Sequence, residues 1–549
     1  MAFTVTTDLQ DFVDAESATP FSTGSLDPDY YVQGSNSVGF YMAKNARGSV
    51  TINPTDVNWT AGDHVYAWLS SSVAAKMENK STGTTTASGV TLRVTLANGA
   101  YREWHVTGAD TWGGEWKCFV IDLAHTGSQL YASSGTWVDT SDIASMTIYW
   151  DLSNSGNIRN VPANCWVDAI RVGTGVTAYN TSAADAAFDF ADIAAYCEAV
   201  AQAYGITETI DGIVFCQARI TVGDTGSNHV DFNSQDEVFV FRNRNGDGEG
   251  GFVADSLYRI DFVGNATGAD QAISLGVKVG TGDAMSGRNG TLILGGGSAV
   301  RYQINADDAD LHSFTMYGCT IRGAYLSTTT VGVQFGTPTT THEIAGTTFD
   351  GCSEIDTRDA IVRNCNFLNT VAATTNGALL WDEGEIDIAN CLFVNNAVGI
   401  EVVSLTGDMS FDGMEFSGDT YDVRYEGTTD WDLNWTNASG APSIQNASTG
   451  TLTAVNTVTH TLTGLQLNTK VTYVRNSDGV ELYTEVATTS DGLGKYKTVY
   501  SYGGAVVGIT VDLLIMHLDY YAYEPQIVMP GTNTTLPVVQ QPDLVYSNP

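Results

Sequence analysis

Along the first 177 residues apolar and polar side chains alternate in short runs, among them SVTINPTDV (49–57), DHVYAWLSSS (63–72), GVTLRVTLAN (89–98), YREWHVTG (101–108), WKCFVIDLA (116–124), ASMTIYWDL (144–152) and CWVDAIRVG (165–173). A period of two turns one side of each run to a core and the other to water, and turn residues separate the runs. Many such strands at short spacing predict an antiparallel β-sandwich over 1–177. The period then changes. After TSAAD (181–185), Ile193, Tyr196, Cys197, Val200 and Tyr204 recur at helical spacing, with Gly205 as a C-terminal stop. One amphipathic helix in a β chain must cover something, and the unpaired end of a stacked-strand solenoid is the natural partner. Segment 178–205 is therefore expected to be a linker and capping helix.

From 206 to 445 the pattern repeats loosely. FTMYGCTIRG (314–323), EIAGTTFDG (343–351), IVRNCNFLN (361–369), IDIANCLFVN (386–395) and MSFDGMEFSG (409–418) each combine an apolar strand, a small polar step and a second apolar position. That position holds Ile321, Phe349, Phe367, Phe393 and Phe416, at intervals the size of one coil of a right-handed parallel β-helix. Cys319, Thr347, Cys365, Cys391 and Met414 should stack inside, and Asn364, Asn390 and Asn395 should sit where a coil turns and bond to the next coil. Segment 446–528 reads as a second β-sandwich, with a hairpin turning at Ser477-Asp478-Gly479. The Pro-rich tail 529–549 cannot bury a core of its own and is expected to lie along a neighbour or hang free.

Composition agrees with strands and tight turns: Gly is 57 of 549 residues and Pro 11. Charge narrows the partners. Lys+Arg 24 against Asp+Glu 62 gives −38, a field that repels a polyanion, so no nucleic acid is expected. Only 8 of the basic residues are Lys, which suits a surface kept hydrated in strong salt, where the Debye length shrinks to about 3 Å. No run approaches the ~18 apolar residues of a membrane span. The opening MAFTVTTDLQDFVDAES has neither a basic nor an apolar signal region, so synthesis and assembly in a cytoplasm are expected. Eight scattered Cys without CxxC spacing, and eight scattered His, argue for buried thiols and against zinc.

Three sets of residues are candidates for chemistry. In NRNGDGEGG (243–251), Asn243, Asn245 and Asp247 stand at calcium-loop positions with Gly248 at the turn, although Ala254 replaces the expected Glu. Trp59, beside Asp56 and Asn58, and Trp112 and Trp116 of TWGGEW adjoin turns, where flat rings can stack on sugars; the alternative is that they fill the sandwich core. WDEGEID (381–387) gathers Asp382, Glu383, Glu385 and Asp387, and Glu354, Asp356 and Asp359 precede them by about one coil. Glycosidases need such carboxylate pairs, but a chain with 62 acids produces neighbours without selection for catalysis.

The closing strand CWVDAIRVG and the opening DFVDAES (11–17) resemble the last and first strands of jelly-roll carbohydrate-binding modules. That resemblance implies a structural Ca2+ held by Glu16 and Asp168. The stretch 188–240, with LGVKVGTGDAMSGRNGTLIL (275–294) and MYGCTIRGA (316–324), resembles β-helix virion structural proteins of tailed bacteriophages and related archaeal tailed viruses. The segment from 447 on resembles a β-sandwich at the end of many phage virion proteins. What these resemblances imply is an all-β surface appendage of a virion, a tail fibre, spike or capsid turret, of a halophilic host. It would be a homo-oligomer, trimer or pentamer, beside other virion proteins, attaching to a host surface glycan or glycoprotein without inserting into a membrane. A polysaccharide-degrading tailspike, hydrolase or lyase, is the alternative. A cellular surface adhesin is the third reading.

Overall fold

A computed structural model of the chain describes residues 3–7, 10–13, 15–44, 47–54, 57–59, 64–72, 78–79, 84–85, 90–106, 116–123, 130–138, 142–151, 162–200, 206–226, 228–241, 258–265, 271–295, 302–308, 310–325, 331–336, 342–358, 360–371, 376–382, 387–436, 442–503, 508–518, 520–530 and 533–540. Among the described residues, strands make up all the regular structure except the α-helix Phe190–Ala199 and a 3-10 turn at Gly282–Ala284. The chain divides into two compact units. One holds 1–387, 393–400 and 418–420; the other holds 388–392, 401–417 and 421–549.

The first unit begins with an antiparallel sandwich. One sheet runs Leu130–Ser134, Tyr101–Val106, Val90–Leu96, Ile143–Asp151, Arg47–Ile52. The other runs Lys117–Asp122, His64–Ser71, Ala163–Gly173, Ser37–Met42, Ser25–Asp27, with Gln10–Val13 also paired to Ala163–Gly173. The period-two runs explain both: Leu92, Val94, Met146 and Ile148 from one sheet and Val65, Ala67 and Leu69 from the other are fully buried. Burying such a side chain contributes about 1.5–3 kcal/mol. The expected boundary at 177 falls inside a strand. Gly175–Tyr179 pairs antiparallel with Thr4–Thr7 and parallel with Arg219–Gly223, so the chain's first strand belongs to the following layer.

Three ladders of parallel strands follow in this unit. The first continues from Arg219–Gly223 through Tyr258–Val263, Tyr302–Ala306, Val333–Phe335, Ile355–Asp356 and Leu379–Trp381. The second runs Val230–Ser234, Gln271–Leu275, Phe314–Tyr317, Glu343–Ala345, Ile361–Arg363. The third runs Ile213–Cys216, Val238–Phe241, Leu292–Gly295, Thr320–Arg322, Thr348–Asp350, Asn366–Leu368. Successive strands visit the three ladders in fixed rotation. In the first ladder Ile220, Ile260, Ile304, Val333, Ile355 and Leu379 stand in register and are buried.

The repeat spacing has a conformational cause. Gly318, Gly346, Asn364, Asn390 and Gly413 all have positive φ, and so do the residues five positions later, Gly323, Gly351, Asn369, Asn395 and Gly418. Only Gly, and Asn at lower cost than other residues, enters that region readily. The expected interior stacks are present within this unit. Cys319, Thr347 and Cys365 are buried, and Phe367 stacks on Phe349 at 5.3 Å and on Phe393 at 4.7 Å. Asn395 bonds the Asn369 side chain of the preceding coil rather than the backbone of the next, and Asn364 donates to the carbonyls of Asp283 and Met285, because the hairpin of Val277–Val279 and Ser286–Arg288 is inserted beside it. All eight cysteines are buried and free.

The helix buries Phe190, Ile193, Ala194 and Cys197, with Phe190 packed on Phe232 from the first strand of the second ladder and on Phe239 from the second strand of the third. Asp189 caps it by accepting from the Asp192 amide, and Glu237 accepts from the amides of Phe190 and Ala191. It ends at Ala199, short of the expected Tyr204, because Val200 turns into an extended conformation. Tyr204 and Gly205 lie outside the described residues.

In the second unit Met409–Asp412, Trp431–Thr436 and Leu452–Leu465 pair in parallel. Phe416 is half-buried rather than interior and packs on Trp435 at 5.6 Å. The long strand Leu452–Leu465 changes partners midway, pairing antiparallel with Tyr496–Gly503 beyond Asn456. Opposite lies the sheet of Glu481–Val486, Lys470–Arg475 and Thr510–His517, joined by Tyr520–Tyr523 and Gln526–Val528. The tail departs from expectation. Thr534–Pro537 pairs with the long strand, and Met529 and Val538 are buried in the core, since backbone pairing and two apolar anchors replace the core that the tail lacks. Residues 541–549 lie outside the described residues.

Candidate functional site

The outward face of the first sandwich's six-stranded sheet carries an unusual set of side chains. Cross-strand register puts Asn164 opposite Tyr41, and Trp166 opposite both Gly39 and Ser70. The same alternation that buries Cys165 and Val167 therefore turns Asn164 and Trp166 outward. Asp168 and Arg171 share this face although three positions separate them, because a β-bulge shifts the register between them and Ala169 takes φ 43.

A loop, residues 28–36, folds over part of this face. Asp168 Oδ2 accepts the backbone N–H groups of Val32 and Gln33 at 2.8 and 3.1 Å, and Arg171 donates to the Gln33 side chain at 3.0 Å. From the other side Glu16 accepts from the amides of Ser35 and Asn36 and from both their side chains, at 2.5–3.2 Å. Gly34, at φ 72, completes the grip: a Cβ there would lie 1.9 Å from Glu16 Oε1. Hydrogen bonds from Ser35 and Asn36 hold the Glu16 carboxyl down at about 2, whereas burial pushes Asp168 up to about 6 despite its N–H donors.

The loop places Tyr30 at the centre of an aromatic cluster. Its ring stacks on Trp116 at 5.0 Å and tilts against Trp166 at 4.6 Å, and its hydroxyl lies 3.0 Å from Ser70 Oγ. Beside this cluster a cleft of about 480 Å³ opens, lined by Thr23–Pro28, Gly39, Phe40, Tyr41, Asn164 and Trp166. Trp166 is held at its wall by a 2.8 Å hydrogen bond from Nε1 to Asp27, and Gly39 leaves room for the indole edge. Tyr41 is 68% exposed at the rim. A flat ring fixed at its edge, flanked by hydroxyls and an amide, is suited to stack a sugar ring and bond its hydroxyl groups.

The sequence candidates divide accordingly. Trp116 belongs to the cluster. Trp59 does not: it is fully buried between the sheets, with Trp137 at 5.2 Å, so it is a core residue and cannot face a ligand. Trp112 lies outside the described residues, as do Asn243, Asn245 and Asp247. Glu16 and Asp168, expected as calcium ligands, accept from N–H and O–H donors of residues 32–36, and Asp168 Oδ1 accepts from the Ala169 amide, so both carboxylates fasten the loop to the sheet. No cluster of three or more His, Cys, Asp or Glu fit for a metal occurs among the described residues. Trp166, Tyr41 and Tyr30 were not singled out from sequence; the alternation in CWVDAIRVG, which places Trp166 and Asp168 on one face, was the available signal.

The carboxylate run of 381–387 is split by the fold. Asp387 pairs with Arg363 of the second ladder at 2.5 Å, whereas Asp382 follows the first ladder. Asp356 is buried there beside Arg358, 3.1 Å away, and Glu354 accepts from Asn376. Burial pushes Asp356 up to about 6 against the pull of Arg358, and Asp307 and Asp382 add to the rise. Asp359, Glu383 and Glu385 lie outside the described residues.

No protein-family model matches the chain, and no curated protein matches it. Among solved structures, an exo-β-agarase is similar over 30% of this chain and 24% of its own, at 14% identity and a TM-score of 0.20. The family 11 carbohydrate-binding module of a cellulosomal cellulase of Clostridium thermocellum is similar over 31% of this chain and 96% of its own, at 13% identity and a TM-score of 0.20. A mutant of a family 29 carbohydrate-binding module is similar over 31% of this chain and 91% of its own, at 8% identity and a TM-score of 0.17. The chain spans about a quarter of the length of the agarases that it matches.

Proposed function

We propose that this is a glycan-binding protein whose first sandwich holds its ligand in the cleft at Trp166 and Tyr41. The observation that carries the reading is the Trp166 ring, turned outward from a sheet and locked at the cleft wall by Asp27. Within the fold the ring packs on Tyr30 and bonds Asp27, and its place at the cleft wall suits it to stack on a sugar as well. After the sandwich in the chain, 206–445 is read as a right-handed parallel β-helix. The fixed rotation of strands through three ladders supports this, and parallel crossovers are right-handed in all but about 2% of cases. With the sequence resemblance and the charge of −38, the reading extends to a homo-oligomeric appendage on the surface of a virion from a salty habitat.

Adsorption of folded Trp166→Ala protein to a panel of insoluble polysaccharides and host envelopes tests the site. One indole face on a sugar is worth about 1–3 kcal/mol, so binding should fall roughly ten- to a hundredfold. Unchanged adsorption by a folded variant removes the assignment.

Glycan cleavage is the second reading; Asp356, buried beside Arg358 with Asp307 and Asp382 acting on it, is the carboxyl it would rest on. Release of soluble oligosaccharides by the whole protein, abolished in Asp356→Asn, would establish it; binding without release would leave the protein a receptor-binding appendage.

A further inference from the structure

We infer that the cleft selects neutral glycan chains and rejects sulfated or carboxylated ones, with Asp27 as the residue that sets this preference; the inference rests on the glycan-binding reading above. Among the described residues the lining contains no Lys or Arg. Recognition of sulfate or carboxylate relies on Arg, Lys or a converging set of free N–H groups. Here the polar groups are the hydroxyls of Thr23, Ser25 and Tyr41 and the amide of Asn164, all uncharged and each able to meet a sugar hydroxyl as donor or acceptor.

The lining residue that is charged is Asp27. Its two oxygens are already engaged, Oδ2 by the Trp166 indole N–H at 2.8 Å and Oδ1 by the Asp29 amide at 3.0 Å. Both donors are neutral, and among the described residues no Lys, Arg or His pairs with Asp27, so its negative charge stands at the wall where a stacked sugar would lie. Arg171, on the same sheet face, offers no remedy, because it is buried and donates to the Gln33 side chain and the Ile170 carbonyl. An anionic substituent on a sugar stacked against Trp166 would therefore meet a like charge at short range. A neutral sugar meets only hydrogen-bonding groups.

Matched polymer pairs test this without knowledge of the natural ligand: hydroxyethylcellulose against carboxymethylcellulose, dextran against dextran sulfate, and agarose against its sulfated relative κ-carrageenan, each followed by affinity electrophoresis of the full chain. The expected result is that any backbone retained by the protein retains it at least about tenfold more strongly in its neutral form. The charge of the whole chain also disfavours anions, so the local role is read from variants. Asp27→Asn, and independently Ser25→Lys should the first loosen Trp166, are expected to close the neutral-to-anionic gap on the order of tenfold. Equal or stronger retention by the anionic member overturns the inference while the glycan-binding reading stands. A gap that neither variant moves overturns the role of Asp27. Retention of both members that is identical in wild type and Trp166→Ala, or no retention of any pair, removes the underlying site and the inference with it.

Discussion

In the first sandwich Tyr30, Trp116 and Trp166 gather on the outward face of a sheet, with Trp166 at the wall of a cleft, whereas in the C-terminal sandwich Tyr473, Tyr483, Tyr500 and Tyr502 gather between the two sheets, with Tyr483 stacked on Tyr500 at 4.4 Å. Edges differ in the same way. The C-terminal sandwich seals an unpaired stretch of Tyr496–Gly503 with side chains: the Val499 amide donates to Glu485 at 3.1 Å, and its carbonyl accepts from the Tyr483 hydroxyl at 2.8 Å. The first sandwich ends on the three-residue strand Ser25–Asp27, which leaves the cleft open beside it. Two-sheet architecture is common to both. What separates the proposed binding face from the C-terminal sandwich is which face the aromatic residues take and whether the edge beside them is closed.

The strongest way to break that contrast is to remove core aromatics. Trp59→Ala in the first sandwich and Tyr473→Ala in the second should each cost about 3–5 kcal/mol, read by denaturant unfolding, and leave adsorption per folded molecule unchanged. Weaker glycan adsorption by either folded variant would erase the distinction between core and site aromatics.

A smaller effect separates the two carboxylates that fasten the loop at 28–36. Asp168 has its folded pKa raised from 3.8 to about 6, so the folded state holds a proton that the unfolded state has released, and stability falls as pH rises between those values, by up to about 3 kcal/mol. Glu16 is shifted the other way, from 4.5 to about 2, so its contribution is present above 4.5 and is lost as pH falls toward 2. Unfolding of the first sandwich, followed by tryptophan fluorescence because eight of the eleven Trp lie before residue 178, should show both limbs. Glu16→Gln should flatten the acid limb, and Asp168→Asn the one above it. If both limbs survive the two substitutions, the loop is held by something else.

The Trp166→Ala loss of about 1–3 kcal/mol in binding sits next in size. The smallest effect is expected at the rim. Tyr41 is 68% exposed, so Tyr41→Ala should change stability by no more than about 0.5 kcal/mol while weakening adsorption several-fold. A stability loss comparable to that of Trp59→Ala would mean that the ring belongs to the fold.

Much of the architecture was legible in the residues themselves. Alternation with period two is a local property, so the strands of the first sandwich could be read directly, and the Gly or Asn pairs five residues apart announce their left-handed turns because few other residues adopt them. The buried Cys positions and the interior Phe349, Phe367 and Phe393 followed from the coil-length repeat, whereas Phe416 is only half-buried. The helix was visible as a change of period, although its end was not, since Val200 is apolar enough to continue the pattern and only its extended conformation stops it.

The candidate site was legible only in pieces. Tryptophan content by itself does not distinguish Trp59 from Trp166: Trp59 stands among polar turn residues and is buried, Trp166 stands in an alternating strand and faces outward, and burial depends on which sheet packs against which. Likewise Glu16 and Asp168 stand far apart in sequence, and nothing local says that both reach the backbone of residues 32–36. The amino-acid sequence by itself determined the strands, the turns and the acidic surface, because these depend on near neighbours and on composition. Only the tertiary structure decided that a bulge at Ala169 would align Asp168 with Arg171, that one loop would cover half a sheet face, and that Trp166 would border the half left open, because such outcomes depend on register between strands more than a hundred residues apart.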